Sequence, residues 1–321
     1  MQRILVIQTA FIGDVILATS LLEKLHFHYP SAAIDILVRK GHESLFEGHP
    51  WLYAVLTFDK KHRWRELWRL NKLIRKNQYD LVVNPHRFLS SGVLVLMSGA
   101  EHKVGFKKNP CSFGYTAKFD HTLTDGRHEI ERNQLLISQF TDHQAAMPKL
   151  YPPRTPEIGQ MANRPFVTIA PASVWFTKQW PIEKWVELID LIPETKAIYL
   201  LGAPGDRPLC DKVVGLVKRE GVHNMAGRFS LLESAAIMGE AEMNYANDSA
   251  PIHLASAVNA PVTAIFCSTI PGFGFTPLST HSKVIQTKIA LSCRPCGLHG
   301  HAQCPEGHFK CADIDPVMAV G

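Results

Sequence analysis

A chain of 321 residues, 46% hydrophobic and 20% charged, is long enough for two domains and apolar enough to bury a core in each. No run approaches the roughly 20 apolar residues with which a helix spans a bilayer. The formal charge of +5 suits an acidic substrate, an anionic membrane surface or nucleic acid without choosing among them.

The opening "MQRILVIQTAFIGDVILATSLL" is interrupted by Gln8, Gly13 and Asp14 and lacks a small-residue cleavage site, so it does not read as a secretion signal. The expected location is the cytoplasm. There, seven cysteines imply reduced thiols or a metal site rather than a disulfide framework.

In chain order, "RILVIQ" (Arg3–Gln8) predicts a buried strand and Gly13 to Tyr29 a helix. Strands are predicted at Ala33–Val38, Ala54–Phe58 and Leu81–Pro85, with helical stretches between them. Proline-rich, aperiodic sequence at residues 147–165 marks a linker, dividing the chain into domains 1–155 and 156–321. A second series follows, with strands at Phe166–Pro171, Ala197–Gly202, Met243–Asp248 and Val262–Cys267. Helices are predicted near Ile182–Leu191, Arg207–Glu220, Leu231–Met238 and Pro251–Val258. Apolar strands alternating with helices specify α/β units around parallel sheets. The fold class is α/β, two doubly wound domains with a cleft between them, and ligands in such sheets sit at carboxyl strand ends.

Four strand ends carry polar groups. "QTAFIGDV" lacks the G-x-G-x-x-G of a dinucleotide-binding turn, but sets Asp14 at a helix entrance. There its carboxylate either takes a proton from a hydroxyl or stabilises the helix N-terminus. In "YANDSAPIHLASA", Asp248 and Ser249 end a strand and free amides open a helix, a ready phosphate site to which His253 adds a donor. The bland reading is a capped helix with a satisfied histidine. Lys178, in "PASVWFTKQWPIEKW", is either the cation for a leaving diphosphate or a solvated loop lysine. Asp206, in "LLGAPGD", either accepts from ribose hydroxyls or caps the next helix.

These motifs together resemble glycosyltransferase family 9, the bacterial ADP-heptose:lipopolysaccharide heptosyltransferases, most closely the heptosyltransferase II branch. The resemblance covers nearly the whole chain and rests on "IGDVILATSLLEKL", "APASVWFTKQWPIEKWVEL", "LGAPGD", "NDSAPIHLASAVNAPVTAIF" and "FTPLS". It implies a GT-B fold, two Rossmann-like domains facing a central cleft, the first binding acceptor and the second the nucleotide sugar. It implies inverting transfer of heptose from ADP-heptose to the inner core of lipopolysaccharide, on a Kdo/heptose–lipid A acceptor, with no metal required for catalysis.

Carried onto this sequence, the resemblance makes Asp14 the general base and Lys178 the cation for departing ADP. Asp206 would hold the ribose or nearby donor hydroxyls, while Asp248, Ser249, Ala250 and His253 would form the phosphate and sugar turn. Phe275 and Thr276 would lie near the donor sugar. Ala250 departs from the usual glycine, which would strain the turn if that position required positive φ. The end "DIDPVMAVG" falls short of the family's final helix, so a truncated terminus or a missing last contact between domains is expected.

For an acidic lipid A–core oligosaccharide, His86 and Arg87 in "NPHRF" and Arg132 in "RHEIERN" are the candidate grips. The basic segment Lys60–Lys76, with Trp64, Leu67, Trp68 and Ile74, is either a peripheral contact with the cytoplasmic face of the inner membrane or an ordinary outer helix. Rival readings are a protein acceptor such as an autotransporter, a catalytically inactive GT-B binding or assembly protein, and a nucleotide-sugar epimerase. A nucleic-acid-binding zinc knuckle is disfavoured, because no basic clusters interleaved with aromatics surround the cysteines.

The remaining motif is "CRPCGLHGHAQCPEGHFKC". Cys293, Cys296, Cys304 and Cys311 have the spacing of a tetrahedral Zn or Fe site, with His299, His301 and His308 as substitute ligands. Free thiols and disulfides are the alternatives. Relatives that glycosylate autotransporters carry a four-cysteine iron site. With no open catalytic position evident, the segment reads as a structural clasp.

Overall fold

The computed structural model describes residues 1–320. The chain divides into two compact units, Met1–Tyr151 and Pro152–Gly321. The first holds β1 (Arg3–Gln8), α1 (Ile12–His28), β2 (Ala33–Arg39), β3 (Ala54–Phe58), α2 (Arg63–Asn77), β4 (Leu81–Asn84), α3 (Leu89–Leu96), β5 (His102–Phe106), β6 (Ala117–Phe119) and α4 (Glu129–Leu135). The second holds α5 (Pro156–Met161), β7 (Phe166–Ala170), α6 (Ile182–Leu191), β8 (Ala197–Leu200), α7 (Arg207–Leu216), β9 (Val222–Asn224), α8 (Leu231–Glu240), β10 (Met243–Asn247), α9 (Ala250–Ala257), β11 (Val262–Phe266), β12 (Ser282–Gln286) and α10 (Val317–Val320).

Each unit is built on one six-stranded sheet, ordered β3-β2-β1-β4-β5-β6 in the first and β12-β11-β10-β7-β8-β9 in the second. Every pairing is parallel. Read from its own first strand, each sheet has the same doubly wound order, which reverses between β1 and β4 and between β7 and β10. The central strands are buried on both faces, as "ILVI" of β1 and "TAI" of β11 require. Helix α1 is apolar almost all round and buries Val15 to Leu22.

All strands expected from sequence form, with ends shifted by no more than two residues. Four additional strands appear: β5, β6, β9 and β12, three of them at sheet edges. "AKF", "VHN" and "SKVIQ" carry polar residues because an edge is half solvated, and this hides the apolar signal. Helix α7 ends at Leu216 rather than Glu220. Beyond it Val217 is extended and the Arg219 guanidinium donates to the carbonyls of Ile192 and Lys196, at 2.5 and 2.8 Å, drawing the chain across the end of α6.

The second core is centred on Trp180 and Trp185, stacked edge to face at 5.1 Å, with Ile198, Leu200, Ile265 and Ile285. In the first unit, helix α2 packs Leu67, Leu70 and Ile74 inward, while Trp64 and Trp68 remain 75% and 71% exposed.

Gly105 of β5 lies so close to its neighbours that a Cβ would meet the Tyr115 ring at 2.4 Å and the Asn84 carbonyl at 2.8 Å. Gly105→Ala therefore destabilises the first unit by about 1–3 kcal/mol, seen as a lower urea midpoint at unchanged slope.

Candidate active site

In the first unit the reversal point is formed by the chain after β1 and after β4. Thr9 Oγ1 lies 3.1 Å from His86 Nδ1, and the His86 N–H donates to the Asn84 side-chain oxygen at 3.2 Å. Asn84 Nδ2 in turn donates to the Tyr115 hydroxyl at 2.7 Å. His86 is 4% exposed, and burial, with Lys60 and Arg87 nearby, lowers its pKa to about 4. It is neutral at physiological pH and ties β1 to β4, so the positive grip expected of it is absent. Arg87 is half-buried and close enough to Asp14 to favour its ionised form.

Asp14 is half-buried in the first turn of α1. Its Oδ2 accepts from the Phe11 N–H at 3.3 Å, which is the helix-entrance role that spacing suggested. Burial, and then the like charge of Glu129, raise its pKa to about 6, while the Phe11 N–H, Arg87 and His121 pull the other way. A carboxylate poised so near neutrality is also suited to proton transfer.

Beneath it Glu129 accepts from His121 Nε2 at 3.0 Å and from Arg132 Nη1 at 3.1 Å. Arg132 is fully buried and also donates to the Thr122 carbonyl, the Arg127 carbonyl and Asp125. A guanidinium spent on these partners is not available to an acceptor, which corrects the expected role of Arg132. Its place is structural. Sequence reading passed over Glu129 and His121, eight residues apart, because nothing local links them.

In the second unit the reversal point lies between β7 and β10. Buried Asn247, ending β10, donates to the Pro171 carbonyl at 2.7 Å and accepts from the Trp180 N–H at 3.0 Å. The loop after β7 is thereby laid across the end of β10, and Lys178 Nζ meets Asp248 Oδ2 at 2.7 Å. Thr269 Oγ1, beyond β11, donates to the same carboxylate oxygen at 2.6 Å. The ammonium and the carboxylate side chains are only 15% and 9% exposed. Helix α9 opens directly beside this pair, with Ser249 as its cap residue and Ala250 in its first turn. Ala250 is not among the residues of positive φ, so the missing glycine imposes no strain. His253 is buried within α9.

Asp206 accepts from the Ala203 N–H at 2.8 Å and so closes the short turn Pro204–Asp206 after β8; it stands at the entrance of α7, but its side chain makes no cap bond to that helix. Phe275 and Thr276 are half-buried in the loop after β11.

All seven cysteines are free. Among the described residues no three His, Cys, Asp or Glu side chains form a group that could hold a metal ion. Cys293 Sγ and His308 Nε2 approach only to 3.9 Å. Burial, and then the neighbouring thiols Cys304 and Cys293, push the Cys311 thiol up to about 11, and burial with the same two thiols raises that of Cys296. The tetrahedral Zn or Fe set that the spacing suggested is not assembled among the described residues.

The clasp is made instead by Arg294, whose guanidinium donates to the carbonyls of Cys267, Phe266 and Thr269 and to Gln286 Oε1 at 2.7–3.1 Å. Cysteine spacing drew attention away from this arginine. The three buried thiols elsewhere, Cys111, Cys210 and Cys267, are all raised by burial, Cys210 to about 12.

The family model described as glycosyltransferase family 9 (heptosyltransferase) matches residues 67–309. The chain belongs to glycosyltransferase family 9. It is 26% identical to the lipooligosaccharide heptosyltransferase 2 of Haemophilus ducreyi, over 89% of this chain and 88% of that one. The structure of E. coli ADP-heptose LPS heptosyltransferase II superposes with a TM-score of 0.79 at 22% identity, covering 99% and 96% of the two chains. A more distant likeness is the dodecameric iron-containing heptosyltransferase TibC of enterotoxigenic E. coli, solved with ADP-D-β-D-heptose. Its TM-score is 0.57 at 12% identity, over 97% of this chain and 72% of that one. The family 9 chain is thus a glycosyltransferase of the GT-B class, with two Rossmann-like units.

Asp14 gives this transferase a distinct pH signature. The folded carboxyl keeps its proton up to about pH 6, whereas an unfolded one loses it near about 4. The native state therefore binds more protons between those values and loses stability as pH rises across them. Asp14→Asn removes that slope. Urea midpoints taken from pH 4 to 7 are expected to show the variant gaining on the wild type by on the order of 2 kcal/mol, a figure reduced for partial solvent exposure.

Proposed function

We propose that this transferase moves heptose from ADP-heptose to the Kdo/heptose–lipid A inner core of lipopolysaccharide, with inversion and without a catalytic metal. The observation that carries the reading is the Lys178–Asp248 ion pair at the mouth of α9. It sets a desolvated cation beside free helix amides, the chemistry that a leaving diphosphate needs. The heptosyltransferase names of the family and of the relatives support the sugar and the acceptor.

In this reading the carboxy-terminal unit binds donor. The amides of Ser249 and Ala250 and the Lys178 ammonium take the diphosphate. Asp248, His253, Phe275 and Thr276 line the heptose, and Asp206 serves the ribose. The amino-terminal unit binds acceptor, with Arg87 answering its acidic groups and His86 holding the wall of the site.

Asp14 Oδ1 accepts the proton of the acceptor hydroxyl as that oxygen attacks the anomeric carbon. The bond from that carbon to the phosphate oxygen breaks, and ADP leaves with the electron pair. The exposed Trp64 and Trp68, with Arg63 and Lys72 over their rings, serve as a peripheral contact with the anionic cytoplasmic face of the inner membrane. The cysteine segment takes no part in the bond changes.

The test is ADP release from purified protein given ADP-heptose and heptosylated Kdo–lipid A. Release that depends on acceptor, rising with pH through about 6 as Asp14 ionises, is expected. Tight ADP binding without turnover would instead identify a binding protein. Asp14→Ala is expected to abolish turnover while leaving ADP affinity nearly intact; transfer at the wild-type rate would remove Asp14 as base. Lys178→Ala is expected to weaken ADP binding and slow transfer together. It also leaves Asp248 buried without its cation, costing about 3–5 kcal/mol of stability.

A further inference from the structure

The cysteine-rich segment reaches the loop that carries Lys178. The His301 N–H donates to Thr177 Oγ1 at 2.8 Å, and the Thr177 N–H donates back to the His301 carbonyl at 3.1 Å. Ser268 Oγ donates to Thr177 Oγ1 at 3.1 Å, while the Cys296 N–H donates to the Ser268 carbonyl at 2.8 Å. Thr177 and Ser268 are 1% and 0% exposed, so no water substitutes for these bonds. The Phe309 ring lies 5.0 Å from that of Phe176, on the other side of the same short turn.

Gly300 completes the contact. Its φ is +80°, and a Cβ there would meet Thr177 Oγ1 at 2.9 Å, Lys178 Cγ at 3.1 Å and Ser268 Oγ at 3.3 Å. No side chain fits between the segment and the lysine stem. The Arg294 clasp fixes the other end of the segment to the loop that presents Thr269, the second partner of Asp248.

We infer that the segment from Cys293 to Cys311 is a positioning element for catalysis: through Gly300, Thr177 and Ser268 it sets the height and direction of the Lys178 ammonium. None of its side chains touches the reacting atoms. Thr177 is a positioning residue because three hydrogen bonds converge on its side chain, the third from its own hydroxyl to the His301 carbonyl at 3.4 Å, one residue from Lys178. Gly300 is one because only a hydrogen atom fits against the lysine stem.

This inference rests on the reading of Lys178 as the cation for the donor diphosphate. The test therefore compares Lys178→Ala, Gly300→Ala, Thr177→Val, Thr177→Ser and the double variant Lys178→Ala/Gly300→Ala. Each is assayed for transfer from ADP-heptose and, separately, for ADP affinity by calorimetry. A misplaced charge is expected to cost Gly300→Ala and Thr177→Val on the order of 10- to 100-fold in kcat/KM for donor. ADP affinity falls in parallel, while KM for acceptor stays put.

Thr177→Ser keeps the hydroxyl and is expected within about threefold of wild type, which a general loss of fold would not produce. If the segment acts through Lys178, Gly300→Ala adds little in the Lys178→Ala background. Wild-type kinetics for Gly300→Ala and Thr177→Val, or fully additive losses in the double variant, overturn the inference and leave the role of Lys178 standing. Wild-type transfer and ADP affinity in Lys178→Ala overturn both. Should Gly300→Ala not fold, the Val and Ser pair at Thr177 decides alone.

Discussion

Asn247 ties the end of β10 to both shoulders of the loop after β7, donating to Pro171 and accepting from Trp180. The carboxy-terminal unit depends on that buried amide. It satisfies two backbone groups that the reversal of strand order would otherwise strand in the interior, where each costs about 1–3 kcal/mol. In doing so it aims Lys178 at Asp248. A largely desolvated ion pair is a poor way to stabilise a fold, since apolar residues of equal volume do as well or better. This pair stands at a strand-order reversal, against a helix N-terminus, which is the setting the proposed diphosphate site requires. Thr269 and the cysteine segment then limit where that charge can sit.

The two units solve the same topological problem with different chemistry. In the carboxy-terminal unit the reversal point holds a charged pair beside neutral amides. In the amino-terminal unit it is closed by uncharged groups, Thr9, His86 and Asn84, and the charges lie beneath, in the His121–Glu129–Arg132 network. That network is electrostatically linked to Asp14: the Glu129 carboxylate raises its pKa, and His121 partly offsets this. One unit holds a paired cation at its reversal point, and the other holds a carboxyl near its titration point.

Strands buried on both faces, such as "RILVIQ" and "FVTIAP", were legible because a parallel sheet writes continuous apolar runs. Their polar ends were legible as candidate positions because doubly wound sheets put ligands there. Asp14, Lys178 and Asp248 came from that rule together with the family resemblance. The edge strands "AKF" and "VHN" were not legible, since three half-solvated residues carry no periodic signal. Nor was the fate of Arg132 and His86. Both are polar residues next to promising motifs, and only tertiary packing determines that one is consumed by buried carbonyls and carboxylates and the other kept neutral. The cysteine spacing misled for a related reason. It records proximity along the chain, whereas the contacts that organise this segment are made by Arg294, Gly300 and the His301 backbone.

The unequal burial of the seven thiols also gives the protein a chemical address system. Cys210 and Cys267 are held protonated deep in the carboxy-terminal core and Cys111 in the amino-terminal one, so soft electrophiles at neutral pH have little thiolate to attack there. Cys293 and Cys304 are only partly covered and belong to the segment that braces Lys178. A fluorophore or spin label added to the unmodified chain would therefore attach selectively to the segment beside Lys178. Its signal would report on that segment, with no engineered cysteine required.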